Sequence, residues 1–150
     1  MKTKFTNSEV PHIWAQQNQE TGTGSNIFFE GKTIYSYGHH FPIATFINPT
    51  TVLSTTRSYG VSTARHISMT RCALRDGIDV IQAKNPLGAA YENIESIITE
   101  LERLDIAISR SKSNRGAFIG EKQSIINNAL KYVRIAKELG DSLSPELAKN

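Results

Sequence analysis

Apolar positions change their spacing along this chain. Between residues 26 and 57 they come in short, dense, β-branched and aromatic runs; from residue 87 to 139 they recur every three or four residues. The first pattern predicts strands and the second amphipathic helices. Three strands are expected. Residues 26–30 form the first, and Gly31-Lys32 suits a tight turn. Residues 33–47 form the second, kinked around Gly38-His39-His40, because a glycine inside a strand marks a bulge and Pro42 cannot donate to a ladder. Residues 51–57 form the third, after the turn Asn48-Pro49-Thr50. Together they predict a small antiparallel meander.

Helices are expected on both sides of it. Ser8 caps a short helix that carries Val10, Ile13, Trp14 and Gln17 on one side, with Pro11 tolerated in its first turn. Residues 16–25 are polar and read as a loop. A second helix, capped by Ser62 or Thr63, runs to Arg75; Ile67, Thr70 and Leu74 face one way and Arg65, Ser68, Cys72 and Arg75 another. Gly77 ends it. Residues 78–86 read as a connector, in which Asp79-Val80-Ile81 is able to add one short extended piece. Leu87, Tyr91, Ile94, Ile98, Leu101 and Ile108 then mark a long helix, 113–116 a loop, and 121–139 a further helix, giving an antiparallel helical hairpin. The tail, 141–150, reads as frayed. The predicted class is therefore α+β: a three-stranded antiparallel sheet packed with helices plus a C-terminal hairpin. One domain spans 1–150, with a sheet-plus-helix half (1–76) and a hairpin (87–140). Mutual packing buries both apolar faces; the alternative is pairing of the hairpin with a second copy, a homo-oligomer.

Composition narrows the class. The chain has 150 residues, 39% hydrophobic and 21% charged, as in ordinary globular proteins. No apolar run reaches the roughly 20 residues of a membrane span, so no membrane partner is expected. No apolar stretch follows the basic start Met1-Lys2-Thr3-Lys4, which predicts no secretory signal. One cysteine, Cys72, excludes an internal disulfide and fits a reducing cytoplasm.

Charge adds direction. The net charge is only +3. Yet no acidic residue occurs between Glu30 and Asp76, a stretch holding Lys32, Arg57, Arg65, Arg71 and Arg75 together with His39, His40 and His66. An uncompensated cationic surface attracts phosphate-bearing partners.

Two segments concentrate chemistry there. Tyr35-Ser36-Tyr37-Gly38-His39-His40-Phe41-Pro42 gathers hydroxyl, imidazole and aromatic groups at one bend, and Tyr35, Tyr37 and His39 on one strand face would stack bases. Arg57 to His66 takes a strand end through Gly60 into a helix start, where N–H groups, Arg57 and Arg65 suit an anion; the P-loop spacing is absent. Solvated surface charge and a simple helix cap explain the same residues without a ligand. No metal or other cofactor is expected: His39 and His40 are adjacent and point to opposite faces of a regular strand. His66 lies about 240° round a helix from Cys72, so it is not placed to activate that thiol.

The run Tyr35 to Ala44 resembles the signature Tyr-Ser-Tyr-Gly-x-His-Phe-Pro-Ile-Ala of a group of small domains encoded by phages and other mobile elements. In these domains a tryptophan segment precedes the signature, as Ile13-Trp14-Ala15 does here. A Tyr-Ser/Gly-x-Ser/Thr-Thr-x-x-His segment follows it, and Tyr59 to His66 is similar. The resemblance covers roughly residues 8–75 and leaves out the hairpin. It implies a phage or plasmid accessory protein acting on a host or its defences, and it implies no catalytic role.

The expected function is stoichiometric binding of nucleic acid or another phosphate-rich partner. The surface expected to carry it is Lys32, Tyr35, Tyr37, His39, Arg57, Arg65 and His66. One alternative is a protein-binding inhibitor of a host enzyme or defence complex, using the hairpin. Another is a metal-independent nuclease drawing a base, an acid and a cation from the histidines, Tyr37 and Arg57.

Overall fold

The computed structural model describes residues 1–57 and 60–140. Ser58, Tyr59 and the tail 141–150 lie outside the described residues, and with them the frayed terminus; the third strand, expected over residues 51–57, ends at Thr55. The chain divides into two compact units, residues 1–87 and residues 88 onward. The boundary falls where the sequence places the start of the hairpin.

In the first unit, α1 spans Val10–Gln16, β1 Thr21–Thr23, β2 Ile27–Glu30, β3 Thr33–Ser36, β4 Pro42–Asn48, β5 Thr51–Thr55, α2 Val61–Ala73 and β6 Asp79–Ala83. The α+β class holds, but the three-stranded sheet does not: the sheet has six strands in the order β1-β2-β3-β4-β5-β6. Four neighbouring pairs are antiparallel, and β5 and β6 are parallel.

Each extra strand has a physical reason. The bend at Gly38-His39-His40 is a full reversal, so the expected second strand becomes the hairpin β3–β4. The polar loop contains β1, because Gly22 lies under the ring of Phe29; a Cβ there would meet Phe29 Cε1 at 2.4 Å. The connector contains β6, which adds to β5 after the chain has crossed over through α2, as parallel strands require.

Alternation decides what faces what. Ile27, Phe29, Ile34, Ala44, Phe46 and Val52 share one face by register, and α1 and α2 cover it. Trp14 is fully buried there, 4.9 Å from the Phe46 ring, and its Nε1 donates to the Lys32 carbonyl at 2.9 Å. On the other face Phe28 stacks on Tyr35, and the hydroxyls of Thr33 and Thr45 meet at 2.9 Å.

The helix starts also differ from expectation. Thr6 rather than Ser8 starts the first helical turn. The Glu9 amide donates to Thr6 Oγ1 at 3.3 Å and the Thr6 amide to Glu9 Oε1 at 3.0 Å, a reciprocal capping box. Helix α2 begins at Val61, so Ser62 and Thr63 lie inside its first turn and neither side chain caps it.

The second unit is the expected antiparallel hairpin, α3 over Ala90–Arg110 and α4 over Arg115–Glu138. Four residues suffice for the connection, so α4 starts earlier than expected and carries Gly116 and Gly120 within it. Buried Asn93 donates to Tyr132 Oη at 2.9 Å near the open end. Ion pairs Arg103–Glu121 and Asp105–Lys122 tie the helices nearer the connection.

Candidate functional site

The seven residues expected to form one cationic surface separate into distinct places. Lys32 is exposed in the β2–β3 turn, whereas Tyr37 and His39 lie at the other end of β3. Five residue steps of strand put roughly 16 Å between those ends.

Tyr35 and His39 belong together. Their rings are 4.9 Å apart, and both rings contact Phe28. His39 Nε2 lies 3.0 Å from Glu30 Oε1, so this imidazole already has a carboxylate partner. Burial, followed by the Glu30 charge, pushes the Tyr35 phenol above its ordinary value. This cluster is a packed aromatic corner with an acid in it, not a cationic platform.

Tyr37 and His66 form a second group. His66 lies on the inward stripe Thr63-His66-Thr70 of α2 and is only 5% exposed. Its Nδ1 is 2.7 Å from Ser36 Oγ, which points from β3 towards the helix. Tyr37 follows Ser36 with φ +64°, a left-handed conformation unusual for a tyrosine. That turn lays its ring 5.6 Å from His66, half-exposed over the imidazole. Burial first, and then the Arg65 charge, lower the His66 pKa. The imidazole is therefore neutral at pH 7 and clamps α2 to β3. The helical phase carries a signal for this: His66 stands one position from Ile67 and four before Thr70, both inward-facing.

Arg57 stands apart from both groups. It follows β5, and its guanidinium lies 4.9 Å from the centre of the Phe41 ring. A ring beneath a guanidinium fixes its plane. Its Nε and Nη2 are buried and have no hydrogen-bond partner among the described residues. Arg57 lines a crevice of about 330 Å³ with Thr55, Thr56, Ala64, Ile67, Arg71 and Gln82. The crevice opens beside the C-terminal ends of the parallel pair β5 and β6, and α2 forms its other wall. Ala64, Ile67 and Arg71 recur at three and four residues, so one face of α2 supplies that wall. No carboxylate lines it.

Arg65, Ser68 and Cys72 share the adjacent, exposed face of α2, as their spacing predicts; α2 ends at Ala73 with Leu74 extended instead of running on to Arg75 and Gly77, so Arg75 is exposed in the segment after the helix. Among the described residues, Lys32, Arg57, Arg65, Arg71 and Arg75 form no ion pair. Arg71 is a cation of the acid-free stretch that was not among the seven residues expected to make the contact. Its signal is the seven-residue step from Ala64.

A larger hollow of about 590 Å³ lies by the β2–β3 turn, lined in part by Met1, Gln19, Glu20 and Lys32. It sets one cation beside one acid and concentrates no charge. Among the described residues no three His, Cys, Asp or Glu side chains form a group able to hold a metal, and no helix is long and apolar enough to cross a membrane.

Comparison with known proteins finds no matching family model, no matching curated protein and no matching solved structure.

Proposed function

We propose that the protein is a stoichiometric binder of a phosphate-bearing partner, nucleic acid foremost, and that Arg57 and Arg71 in the α2–β5–β6 crevice carry the contact. The observation behind this is the Arg57 guanidinium, held flat on Phe41, with two buried N–H-bearing nitrogens unpartnered among the described residues and no carboxylate in the crevice lining. Leaving a buried donor unpaired costs about 1–3 kcal/mol, more for a charged group. An anion that reached this edge would relieve that cost. Arg65, exposed on the neighbouring face of α2, and Arg75, exposed just beyond its end, extend the positive surface along a strand of nucleic acid. Lys32, Tyr35 and His39 drop out of the contact. His66 supports it indirectly, by seating α2. The likeness of residues 35–44 to the mobile-element signature supports an accessory role of this kind.

Salt tests the proposal. Each phosphate neutralised on a single strand contributes about −0.7 to the slope of log K against log[salt]. Two arginine contacts therefore predict a fall in affinity of roughly sevenfold between 50 and 200 mM salt. Arg57→Ala and Arg71→Ala should each remove about 0.7 from that slope, read by fluorescence anisotropy with a labelled single strand. Affinity indifferent to salt and to both substitutions would favour the second reading, a protein partner for the hairpin. That reading rests on Ile98, Ile106, Ile119 and Leu130, each about half-exposed or more on α3 and α4. The nuclease reading has less support, because His66 is buried with Nδ1 engaged and His39 is paired with Glu30.

A further inference from the structure

We infer that the crevice recognises a phosphate monoester at the end of a nucleic-acid strand, in preference to the phosphodiesters within it. The inference rests on the phosphate-binding reading above and specifies its ligand. Three features of the crevice converge on it.

The first is which guanidinium atoms are unpartnered. Nε and Nη2 lie on the same edge of the group, where their N–H bonds run parallel. That edge is the fork that grips two oxygens of one anion at once. Phe41 holds the plane of the fork before any ligand arrives, so little side-chain freedom remains to be lost on binding.

The second is charge. Arg57 and Arg71 bring two positive charges to one crevice without a carboxylate among its lining residues. A terminal phosphate carries about −1.5 to −2 near neutral pH, whereas an internal phosphodiester carries one negative charge. Two guanidinium groups match the former.

The third is size. The crevice holds about 330 Å³, at the small end of ligand pockets, which run from roughly 300 to 1,000 Å³. A terminal phosphate, attached on one side only, needs less room there than a phosphodiester with a nucleotide on each side.

The test uses the full chain and three single strands of one sequence: one with a 5′-phosphate, one with a 3′-phosphate, and one with hydroxyls at both ends. A mononucleotide and inorganic phosphate serve as competitors. At least one phosphorylated end should bind about tenfold tighter than the hydroxyl strand, equivalent to about 1.4 kcal/mol. Both competitors should displace that strand, and a mononucleotide acting at lower concentration than inorganic phosphate identifies the strand end as the ligand. Arg57→Lys keeps the charge but loses the fork. It should bring the phosphorylated and hydroxyl strands to equal affinity. Equal affinity for all three strands, with normal salt dependence, would overturn the end-specific inference and leave the broader reading standing. Absence of binding to every probe, in a chain that unfolds cooperatively, would overturn both.

Discussion

His66 shows how a residue type can be read correctly and its role misjudged. Its sequence neighbours, Arg65 and a run of hydroxyls, suggest a surface imidazole ready for phosphate. The helical phase instead turns it inward onto Ser36, 2.7 Å away. Burial then lowers its pKa below the ordinary 6.5, and the Arg65 charge lowers it further. The unfolded chain takes up this proton near pH 6.5, and the folded chain only at lower pH. Between those values the unfolded state binds more protons, so the contribution of His66 to stability is full above about 6.5 and is lost as pH falls towards the folded value. The thermal midpoint should therefore drop between pH 7 and pH 5, and His66→Gln should show a shallower drop than the parent chain. Parallel profiles for the two chains would mean that the imidazole is not buried in its neutral form. Arg57 is the converse case. Its charge is evident in the sequence, but the unpartnered edge of its guanidinium depends on Phe41, sixteen residues earlier, arriving beneath it.

Among the elements, those held together by neighbours in sequence were legible. The helical hairpin, the strands at 26–30 and 51–55 and the bend at Gly38 all follow from local period and turn residues. Elements held by distant partners were not. Strand β1 reads as a Thr-Gly loop, because only the Phe29 ring over Gly22 reveals it as part of a sheet. The sequence marks Asp79-Val80-Ile81 as able to extend, but not where that piece pairs: β6 joins β5 across the whole of α2, and a parallel partner leaves no mark on the local sequence. The start of α1 was missed for a different reason: Ser8 is the cap expected from the sequence, and the reciprocal bonds between Thr6 and Glu9 take that place. Thr6→Ala breaks the box and should cost about 1 kcal/mol in a urea titration, with Ser8→Ala close to neutral. Equal effects at both positions would mean that the cap is shared.

At the scale of the molecule, the acid-free stretch from residue 31 to 75 was the most visible feature of the sequence, and its charges do remain without ion pairs among the described residues. What the sequence could not show is their distribution. The length of β3 sends Lys32 to the far end of the sheet, the phase of α2 parts Arg65 from Arg71, and Arg75 falls beyond the end of α2. The crevice between α2 and the ends of β5 and β6 is where two guanidinium groups, an aromatic support and a cavity coincide. The measurement that addresses this most directly is the ¹⁵N spectrum of the arginine side chains during titration with a 5′- or 3′-phosphorylated oligonucleotide. The account predicts that the Arg57 Nε–H resonance shifts strongly and exchanges more slowly with water as the ligand saturates, with Arg71 following. A saturable complex in which both resonances stay where they were would place the contact elsewhere and contradict it.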